Sequence, residues 1–455
     1  MIILKDFDVV GEDTNHGAHN VVGGDTDHGE PPRSVSPPTG TQNEITMQCR
    51  FCKTELEHVF IDLVNSPASN SFLSAEQLNE PEAFYPLKVF ICQTCFLVQV
   101  DEYKKSDAIF SSEYVYFSSY SKSWLKHASD YVDMMTERFG FNEDSLVIEV
   151  ASNDGYLLQY FLAKGVKVMG IEPTANTAEV AMGKGVKTVV EFFSAELADR
   201  FANTWDVRPD LLLGNNVLAH VPDIVDFVMG MKLILKEKGV ITMEFPHLMQ
   251  LVDNNQFDTI YHEHFSYLSI YTVKQIFESV GLELFDVDEL PTHGGSLRIY
   301  AKHAEDDTKT VLPLVDALLQ KEIDKGLNTL EYYADFHRQA LKVKLDLTEF
   351  LIQQKKIGKK VAGYGAAAKG NTLLNYCGVK NDLIAFVVDA NPHKQDKFLP
   401  ASHIPVVNEE YLKNEKPDYV IILPWNLKEE IMGQLSYVKE WGGKFVIPIP
   451  ELEIV

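Results

Sequence analysis

The sequence has few cysteines and no long apolar run. Of its 455 residues only five are cysteines, which are too few for a disulfide framework in a chain of this length. No stretch reaches the about eighteen consecutive apolar residues that a membrane-spanning helix requires. The N-terminus has neither a basic n-region nor an apolar h-region. We therefore expect a cytoplasmic protein that is neither secreted nor inserted in a membrane.

Positive charge is also scarce. The chain has 41 basic and 66 acidic side chains, a net charge of −25, and this field repels nucleic acid and anionic membrane surfaces. Neither is an expected partner. Hydrophobic residues make up 45% of the chain, enough for buried cores, and the length favours about three domains.

The pattern along the chain divides it into four parts. Residues 1–45 are rich in Gly, Pro, Asp and His with few large apolar side chains, and we expect a disordered acidic tail. Residues 46–110 form a small module with two cysteine pairs. Apolar runs alternate with helical patterns in residues 111–304, and again from residue 359 in a region spanning 305–455. The predicted fold class is α/β, with two independent Rossmann-like sheets behind one small N-terminal module.

The cysteine pairs predict a metal site. Cys49-x-x-Cys52 and Cys92-x-x-Cys95 each place two thiolates on a tight turn, and two such knuckles complete the tetrahedral shell of a structural Zn²⁺ ion. We expect one zinc per chain with no open position for water. Two redox dithiols, or four unrelated buried cysteines, are the alternatives.

Small residues follow the first predicted strand of the larger α/β region, and an acidic residue ends the second. The turn at residues 149–155 precedes a helical pattern, which lets a ligand approach the backbone and the helix N-terminus. Glu172 is placed to accept both hydroxyls of a ribose. Ala151 and Asn153 stand where such loops commonly have glycine, although asparagine tolerates left-handed backbone geometry. An ordinary βα turn is the alternative.

Together with the polar residues after the third and fourth strands, this arrangement resembles the class I S-adenosylmethionine-dependent methyltransferases. The central domain is then a Rossmann-like methyltransferase domain. The candidate cofactor-binding residues are Glu149, Ala151, Asn153, Gly155, Glu172, Phe193, Ser194, Asn215 and Asn216.

A third motif combines acid–base groups with aromatic residues. Tyr261, His262, Glu263 and His264 are consecutive, and such a run can desolvate and orient a base. A metal site, or simple core or surface histidines, are the alternatives. The Gly-rich turn at residues 293–298 adds hydroxyl and guanidinium donors, and its Ser296 and Arg298 are candidate substrate ligands.

The C-terminal region contains a turn of the dinucleotide-binding type. Residues 363–368 fit G-x-G-x-x-G/A after a predicted strand, and Asp389 closes the next strand. These residues favour a different function, an NAD-dependent oxidoreductase acting on sugar nucleotides.

The motifs in combination are more specific than any one alone. The four cysteines, the Tyr- and Ser-rich run at residues 114–119, the 149–155 turn, the Tyr-His-Glu-His run, the 293–298 turn and residues 363–371 resemble the nucleotide-sugar C-methyltransferases that build branched deoxysugars. The similarity is to the C-3′-methyltransferases of dTDP-4-keto sugars, and it covers about residues 47–450.

This resemblance implies an enzyme of three domains, in which the C-terminal one helps to hold the nucleotide sugar. It implies that His264 is the base and that Lys369 and Asn371 are available to the diphosphate. The other residues that it implies around the sugar are Tyr261, Glu263, His220, Tyr114 and Tyr116.

We therefore expect methyl transfer from S-adenosylmethionine to C-3 of a nucleotide-linked, dTDP-type 4-keto deoxysugar. Methylation of carbon needs a carbanion equivalent, which a neighbouring ketone provides as an enolate. His264 would remove the proton, and Glu263 would orient or charge the imidazole of His264. His220 with a tyrosine would donate to the enolate oxygen. A non-catalytic scaffold organised by zinc is a further alternative, beside the oxidoreductase.

Overall fold

The computed structural model describes residues 47–103, 105 and 117–455 of the chain. The predicted tail at residues 1–45, and the candidates Tyr114 and Tyr116, lie outside the described residues. Within the described part, every helix is too short or too polar to cross a bilayer.

The cysteine module forms a small antiparallel sheet that a later segment completes. Its strands, in the order β1-β2-β3-β9, are β1 (His58–Ser66), β2 (Tyr85–Ile91), β3 (Val98–Val100) and β9 (Ser266–Tyr267). In the last pair Val98 lies opposite Tyr267. Residues 257–265, the acid–base loop, contain the Tyr-His-Glu-His run. Because β9 directly follows this loop, the loop ends at the sheet of the cysteine module.

A seven-stranded sheet forms the centre of the molecule. Its strands are β4 (Leu146–Val150), β5 (Lys167–Ile171), β6 (Lys187–Val189), β7 (Leu211–Asn215), β8 (Val240–Pro246), β10 (Leu282–Leu290) and β11 (Ser296–His303). The order is β10-β11-β8-β7-β4-β5-β6, and only β11 runs antiparallel to its neighbours. The predicted α/β class is confirmed. The carboxyl ends of β4, β5, β7 and β8 share one edge, where ligands bind in doubly wound sheets.

Among the described residues, the α-helices that accompany these two sheets are α1 (Lys122–Phe139), α2 (Leu158–Ala163), α3 (Ala175–Gly183), α4 (Ala195–Asp199), α5 (Ile224–Ile234), α6 (Leu248–Asp253) and α7 (Ile270–Ser279). Local sequence sets the ends of α1. The hydroxyl of Ser121 accepts from the Trp124 amide, and Gly140 ends the helix with a left-handed φ of 70°. Its buried residues follow helical spacing, so α1 packs one face on the sheet.

The C-terminal region has a sheet of its own. Its strands are β12 (Val361–Tyr364), β13 (Val387–Val388), β14 (Val406–Val407), β15 (Tyr419–Ile422), β16 (Lys444–Ile447) and β17 (Glu453–Ile454), and its helices are α8 (Pro313–Lys325), α9 (Phe336–Lys356), α10 (Ala368–Cys377), α11 (Glu409–Glu415) and α12 (Lys428–Gln434). The order is β14-β13-β12-β15-β16-β17, parallel apart from β17. The strand β13 is only two residues long, and before it the amides of Leu383 and Ile384 both donate to the Lys380 carbonyl in a turn.

The cysteine module and the C-terminal sheet share one core, whereas two further buried clusters contain the strands of the central sheet. One buried cluster contains side chains of β1–β3, of residues 248–267, of α9 and of the C-terminal sheet. Phe60 of β1 stacks on Phe336 of α9, with ring centroids 4.6 Å apart and planes at 9°. The two α/β sheets are separate, as expected, but the cysteine module and the C-terminal unit bury apolar surface against each other.

A glycine turn joins the central sheet to the C-terminal unit. Gly294 has φ of 92°, and a Cβ atom there would lie 2.6 Å from the Trp425 ring and 2.8 Å from the Gln256 amide nitrogen. Gly378, which ends α10, has φ of 71° but no atom within 4 Å of such a Cβ. The two glycines thus share a left-handed backbone and differ in what surrounds them.

We predict that Gly294→Ala lowers the free energy of unfolding more than Gly378→Ala does. Left-handed geometry alone costs a side chain about 1–2 kcal/mol, and overpacking adds about 1–3 kcal/mol at Gly294 only. Urea unfolding of both full-length variants measures the difference. Equal midpoints would contradict the contact between Gly294 and Trp425.

Candidate active site

The turn after β4 has the backbone of a glycine-rich loop. Positive φ values occur at Ala151 (55°), Asn153 (48°) and Gly155 (72°). A Cβ atom at Gly155 would lie 3.2 Å from Ala181 of α3, so the turn packs closely on that helix. The sequence therefore departs from glycine at Ala151 and Asn153, but the conformation that glycine favours is retained.

Two buried carboxylates face this turn. Glu172, at the end of β5, accepts from the amides of Asn153 and Thr174, both at 2.9 Å. Glu149 is fully buried, and desolvation raises its pKa well above the usual range while Tyr156 opposes the shift. Burial also raises the pKa of Glu172 against these hydrogen bonds. Carboxylates at this edge fit S-adenosylmethionine, which presents ribose hydroxyls and positive charge.

The other cofactor candidates take different positions. Asn215 donates to the Tyr156 hydroxyl at 3.2 Å, and Asn216, with φ of 55°, lies 3.4 Å from His293 Nε2, so both are at the same edge. Ser194 accepts from the Leu197 amide and caps α4. Phe193 packs against a ring of α5, with centroids 5.2 Å apart.

Residues 117–120, which received no individual role from the sequence, contact the turn at residues 151–155, the cofactor turn. The amide of Ser118 donates to Asn153 Oδ1 at 2.9 Å, and that of Ser119 donates to Asp154 Oδ2 at 3.3 Å. Phe117 stacks on His393 of the C-terminal unit at 5.5 Å. Residues 117–120 thus contact both the cofactor turn and the C-terminal unit. The composition of the Tyr- and Ser-rich run was the only sequence signal for this segment.

The predicted base is buried in a defined protonation state. His264 Nδ1 lies 2.8 Å from the Thr259 carbonyl, which can only accept, so the proton is on Nδ1 and Nε2 carries the lone pair. Burial holds the pKa of His264 well below its usual value, and the nearby His220, His293 and Lys369 lower it further. The imidazole is therefore neutral and able to accept a proton.

Other members of the predicted cluster surround this ring. The rings of Tyr261 and His220 lie 4.0 and 4.6 Å from that of His264. Burial lowers the pKa of His220 to about 4, and its ring is hydrogen-bonded to the backbone of Glu263. The Glu263 carboxylate accepts from Asn70 Nδ2 of the cysteine module at 2.7 and 3.0 Å.

His262 does not join this cluster. Its Nε2 lies 3.1 Å from the Pro86 carbonyl and its ring packs beside Tyr85, on the strand β2. Because His262 and His264 diverge, they do not form a joint metal site. Within residues 47–103, 105 and 117–455, the group able to hold a metal is formed by the four cysteines.

Two substrate candidates lie inside the central unit. Ser296 donates to the Thr292 carbonyl at 2.9 Å. Arg298 is 4% exposed and donates to Glu244 Oε2 at 2.7 Å, over the Tyr131 ring. Although burial opposes it, the His127 hydrogen bond and the Arg298 charge lower the pKa of Glu244 to about 2. The structure thus gives Arg298 a partner within the sheet.

The two candidate substrate-binding residues on α10 have different partners. Lys369 Nζ donates to Asn426 at 2.8 Å and lies 4.7 Å from the Trp425 ring centroid. Asn371 is buried and donates to the Ser69 carbonyl at 2.6 Å, so it holds the cysteine module. Lys369 lies beside the acid–base loop, because Trp425 also donates to Asp258 at 2.8 Å.

Asp258 is a further polar residue of the loop that sequence reasoning missed. Burial raises its pKa to about 7, and the Lys369 charge opposes this rise. It stands within an aromatic run without a recognisable motif, so only its position in the loop could have indicated it.

Other groups of the protein contact the dinucleotide-type turn at residues 363–368. The Asp389 carboxylate accepts from the amides of Ala366 at 2.7 Å and Asn391 at 2.8 Å. Pro424 packs over Gly365, where a Cβ would lie 2.4 Å from the proline ring. Backbone amides thus hold Asp389 in the same way as they hold Glu172, whereas the close packing of Pro424 on Gly365 is particular to this turn.

The four cysteines form two matching knuckles. The sulfur pairs Cys49–Cys95 and Cys52–Cys92 are 3.5 and 3.4 Å apart, and all four atoms lie within 4.8 Å. Tetrahedral zinc with Zn–S bonds of about 2.3 Å separates its sulfurs by about 3.8 Å. In each knuckle the residue after the second cysteine has positive φ and donates to the first cysteine's carbonyl at 3.0 Å. Gln99 Nε2 also donates to Cys49 Sγ. The donor set fits a structural zinc.

This fold and these sites define an S-adenosylmethionine-dependent methyltransferase with a zinc-binding module. Three family models match the chain: "Putative zinc binding domain" at residues 49–110, "Methyltransferase domain" at 124–287, and "C-methyltransferase C-terminal domain" at 291–450. The C-methyltransferase NovU of Streptomyces niveus is 35% identical over 408 residues, which cover 90% of this chain and 96% of that protein. The chain belongs to this family of C-methyltransferases, as the sequence predicted, and S-adenosylmethionine and zinc are its cofactors.

Solved methyltransferase structures align with part of the chain. Magnesium protoporphyrin IX methyltransferase of Synechocystis has a TM-score of 0.30 and 12% identity, covering 39% of this chain and 78% of that one. An S-adenosylmethionine-dependent methyltransferase of Clostridium acetobutylicum has a TM-score of 0.32 and 12% identity, covering 39% and 92%.

We predict about one zinc per wild-type chain and a loss of zinc in Cys92→Ser. Changes in the outer shell of a zinc site already weaken binding about 10–100-fold, and loss of a ligand should weaken it further. Metal analysis of full-length protein, with Cys377→Ser of α10 as the control, measures this. Active, well-folded wild type without zinc would refute the prediction.

We predict that Glu172→Ala weakens S-adenosylmethionine binding about 10- to 100-fold. The variant loses a charged acceptor for ribose and also the two backbone amides that fix the turn. Calorimetry with Glu179→Ala, an exposed acid on α3, provides the control. Sugar-nucleotide affinity should stay unchanged, and unaltered cofactor affinity would contradict this placement of Glu172.

Proposed function

We propose that this C-methyltransferase methylates C-3 of a nucleotide-linked 4-keto deoxysugar, with dTDP as the nucleotide, through an enolate. The observation that carries the proposal is the neutral, buried imidazole of His264, whose Nδ1 proton is fixed on the Thr259 carbonyl at 2.8 Å. Carbon is a poor nucleophile until a proton is removed, and a ketone at C-4 makes the C-3 proton removable.

His264 acts as the general base in this proposal. Nε2 takes the C-3 proton, and the Thr259 carbonyl continues to accept from Nδ1–H, which stabilises the imidazolium. Glu263 precedes His264 on the same loop, and Asn70 fixes its carboxylate. Burial of the ring disfavours the imidazolium in the resting enzyme, so the base is ready before substrate binds.

The enolate oxygen needs a donor. We assign Tyr261, whose ring lies 4.0 Å from that of His264, to this role, together with the tyrosine of the 114–116 run. His220 uses a ring N–H for the backbone carbonyl of Glu263, so its neutral form offers an acceptor, and it donates to the oxygen only when protonated.

Different elements would hold the two ligands of this reaction. Bound S-adenosylmethionine supplies an electrophilic sulfonium methyl group, and the turn at residues 151–155 with Glu172 holds it. Lys369 is our candidate for the diphosphate, because its ammonium lies beside the loop and Trp425, whereas Asn371 is occupied by Ser69.

We predict that wild-type enzyme exchanges the C-3 proton for deuterium in D₂O or forms product, and that His264→Asn does neither while binding both ligands. Removal of a general base lowers a rate about 100- to 10,000-fold. Mass spectrometry and single-turnover methylation measure both steps, with the exposed His337→Asn as the control.

Glu263→Gln tests the other assignment. If His264→Asn kept near-normal exchange while Glu263→Gln lost it, the base role would pass to Glu263. A desolvated carboxylate can reach the pKa that this role needs. A methyl gain in the product also separates methyl transfer from an NAD-dependent reaction.

A further inference from the structure

The loop after β1 crosses from the cysteine module to the acid–base loop. Asn70 on this loop extends its side-chain amide to both carboxylate oxygens of Glu263, at 2.7 and 3.0 Å. Glu263 is 3% exposed, so water contributes little to solvating its charge. An Nδ2 group can only donate, and its contact with both oxygens fixes the plane of the carboxylate.

Neighbouring contacts hold this loop in place. The Ser69 carbonyl accepts from Asn371 of α10 at 2.6 Å, and Leu73 exchanges backbone hydrogen bonds with Phe398 at 3.0 and 2.8 Å. On the opposite side, Thr372 of α10 donates to the Ile260 carbonyl at 2.9 Å, which fastens the acid–base loop to the same helix. Donor and acceptor are therefore both attached to α10, and their separation is fixed.

We propose that Asn70 is a positioning residue for methyl transfer, which holds the Glu263 carboxylate ionised and in one orientation on the loop that carries His264. The assignment rests on the proposed role of His264 as base. Hydrogen bonds donated to a carboxylate favour its charged form, and a charged Glu263 favours the imidazolium that forms when His264 takes the proton. The cysteine module thus contributes to catalysis through this loop, whereas its zinc serves the fold.

Other titratable groups surround the Glu263–His264 pair. His220 bonds to the Glu263 backbone, and the charges of His293 and Lys369 act on His264. Asp258, on the same loop, faces Lys369 through Trp425. A pH profile therefore reports the whole group, and only the change caused at Asn70 is diagnostic.

The test is Asn70→Asp in the full-length zinc-containing enzyme. The substitution keeps the shape but places a second carboxylate against Glu263, so one of the two must bind a proton. We expect the acid limb of kcat/KM to move to higher pH by about one unit, a kcat at pH 7 lower by about tenfold, and an unchanged Kd for S-adenosylmethionine. Asn65→Asp, an exposed site on β1, should match wild type.

A double-mutant cycle separates positioning from a general loss of structure. With Glu263→Gln already present, Asn70→Asp should cause no further shift of the acid limb, because the ionising partner is gone. An equal shift in both backgrounds, or an Asn70→Asp profile identical to that of Asn65→Asp, would overturn the proposal. Absence of exchange and methylation in wild type would instead refute the proposed function itself.

Discussion

A buried loop must have its polar groups paired, and this requirement organises the structure around residues 257–267. Water cannot solvate the loop, so partners come from every side: β3 pairs with β9, Thr372 donates to Ile260, Trp425 donates to Asp258, and Phe265 donates to the Ala219 carbonyl. The three parts of the chain meet at this loop because each provides some of these partners.

The same burial determines the chemistry. A desolvated imidazole stays neutral, and a fixed hydrogen bond at Nδ1 directs its basic nitrogen the other way. Low polarity around the loop strengthens the effect of each nearby charge, and besides desolvation the charges of His220, His293 and Lys369 lower the pKa of His264. Placing these groups on different elements lets the fold set their distances independently.

Sequence patterns predicted the parts of the fold that local chemistry controls. The strands β4, β5, β7 and β8 consist mainly of apolar residues with few charged side chains, and the cysteine knuckles have a fixed spacing. The hairpin β10–β11 was missed, because acids such as Asp286 and Asp288 interrupt its apolar pattern.

Long-range partners could not be predicted in the same way. Arg298 lies opposite Glu244 in the register of β11 and β8, a pairing that no local motif encodes. Asn70 and Asp258 were missed for the same reason: an isolated amide or acid acquires its role only from what folding brings beside it.

The shared apolar core also has an evolutionary consequence. Phe60 of the cysteine module stacks on Phe336, which lies far away in the sequence. If recombination exchanged only the C-terminal third of the chain between relatives, the new C-terminal third would have to match the apolar surface of the cysteine module. These segments are therefore expected to have diverged together, as one heritable unit.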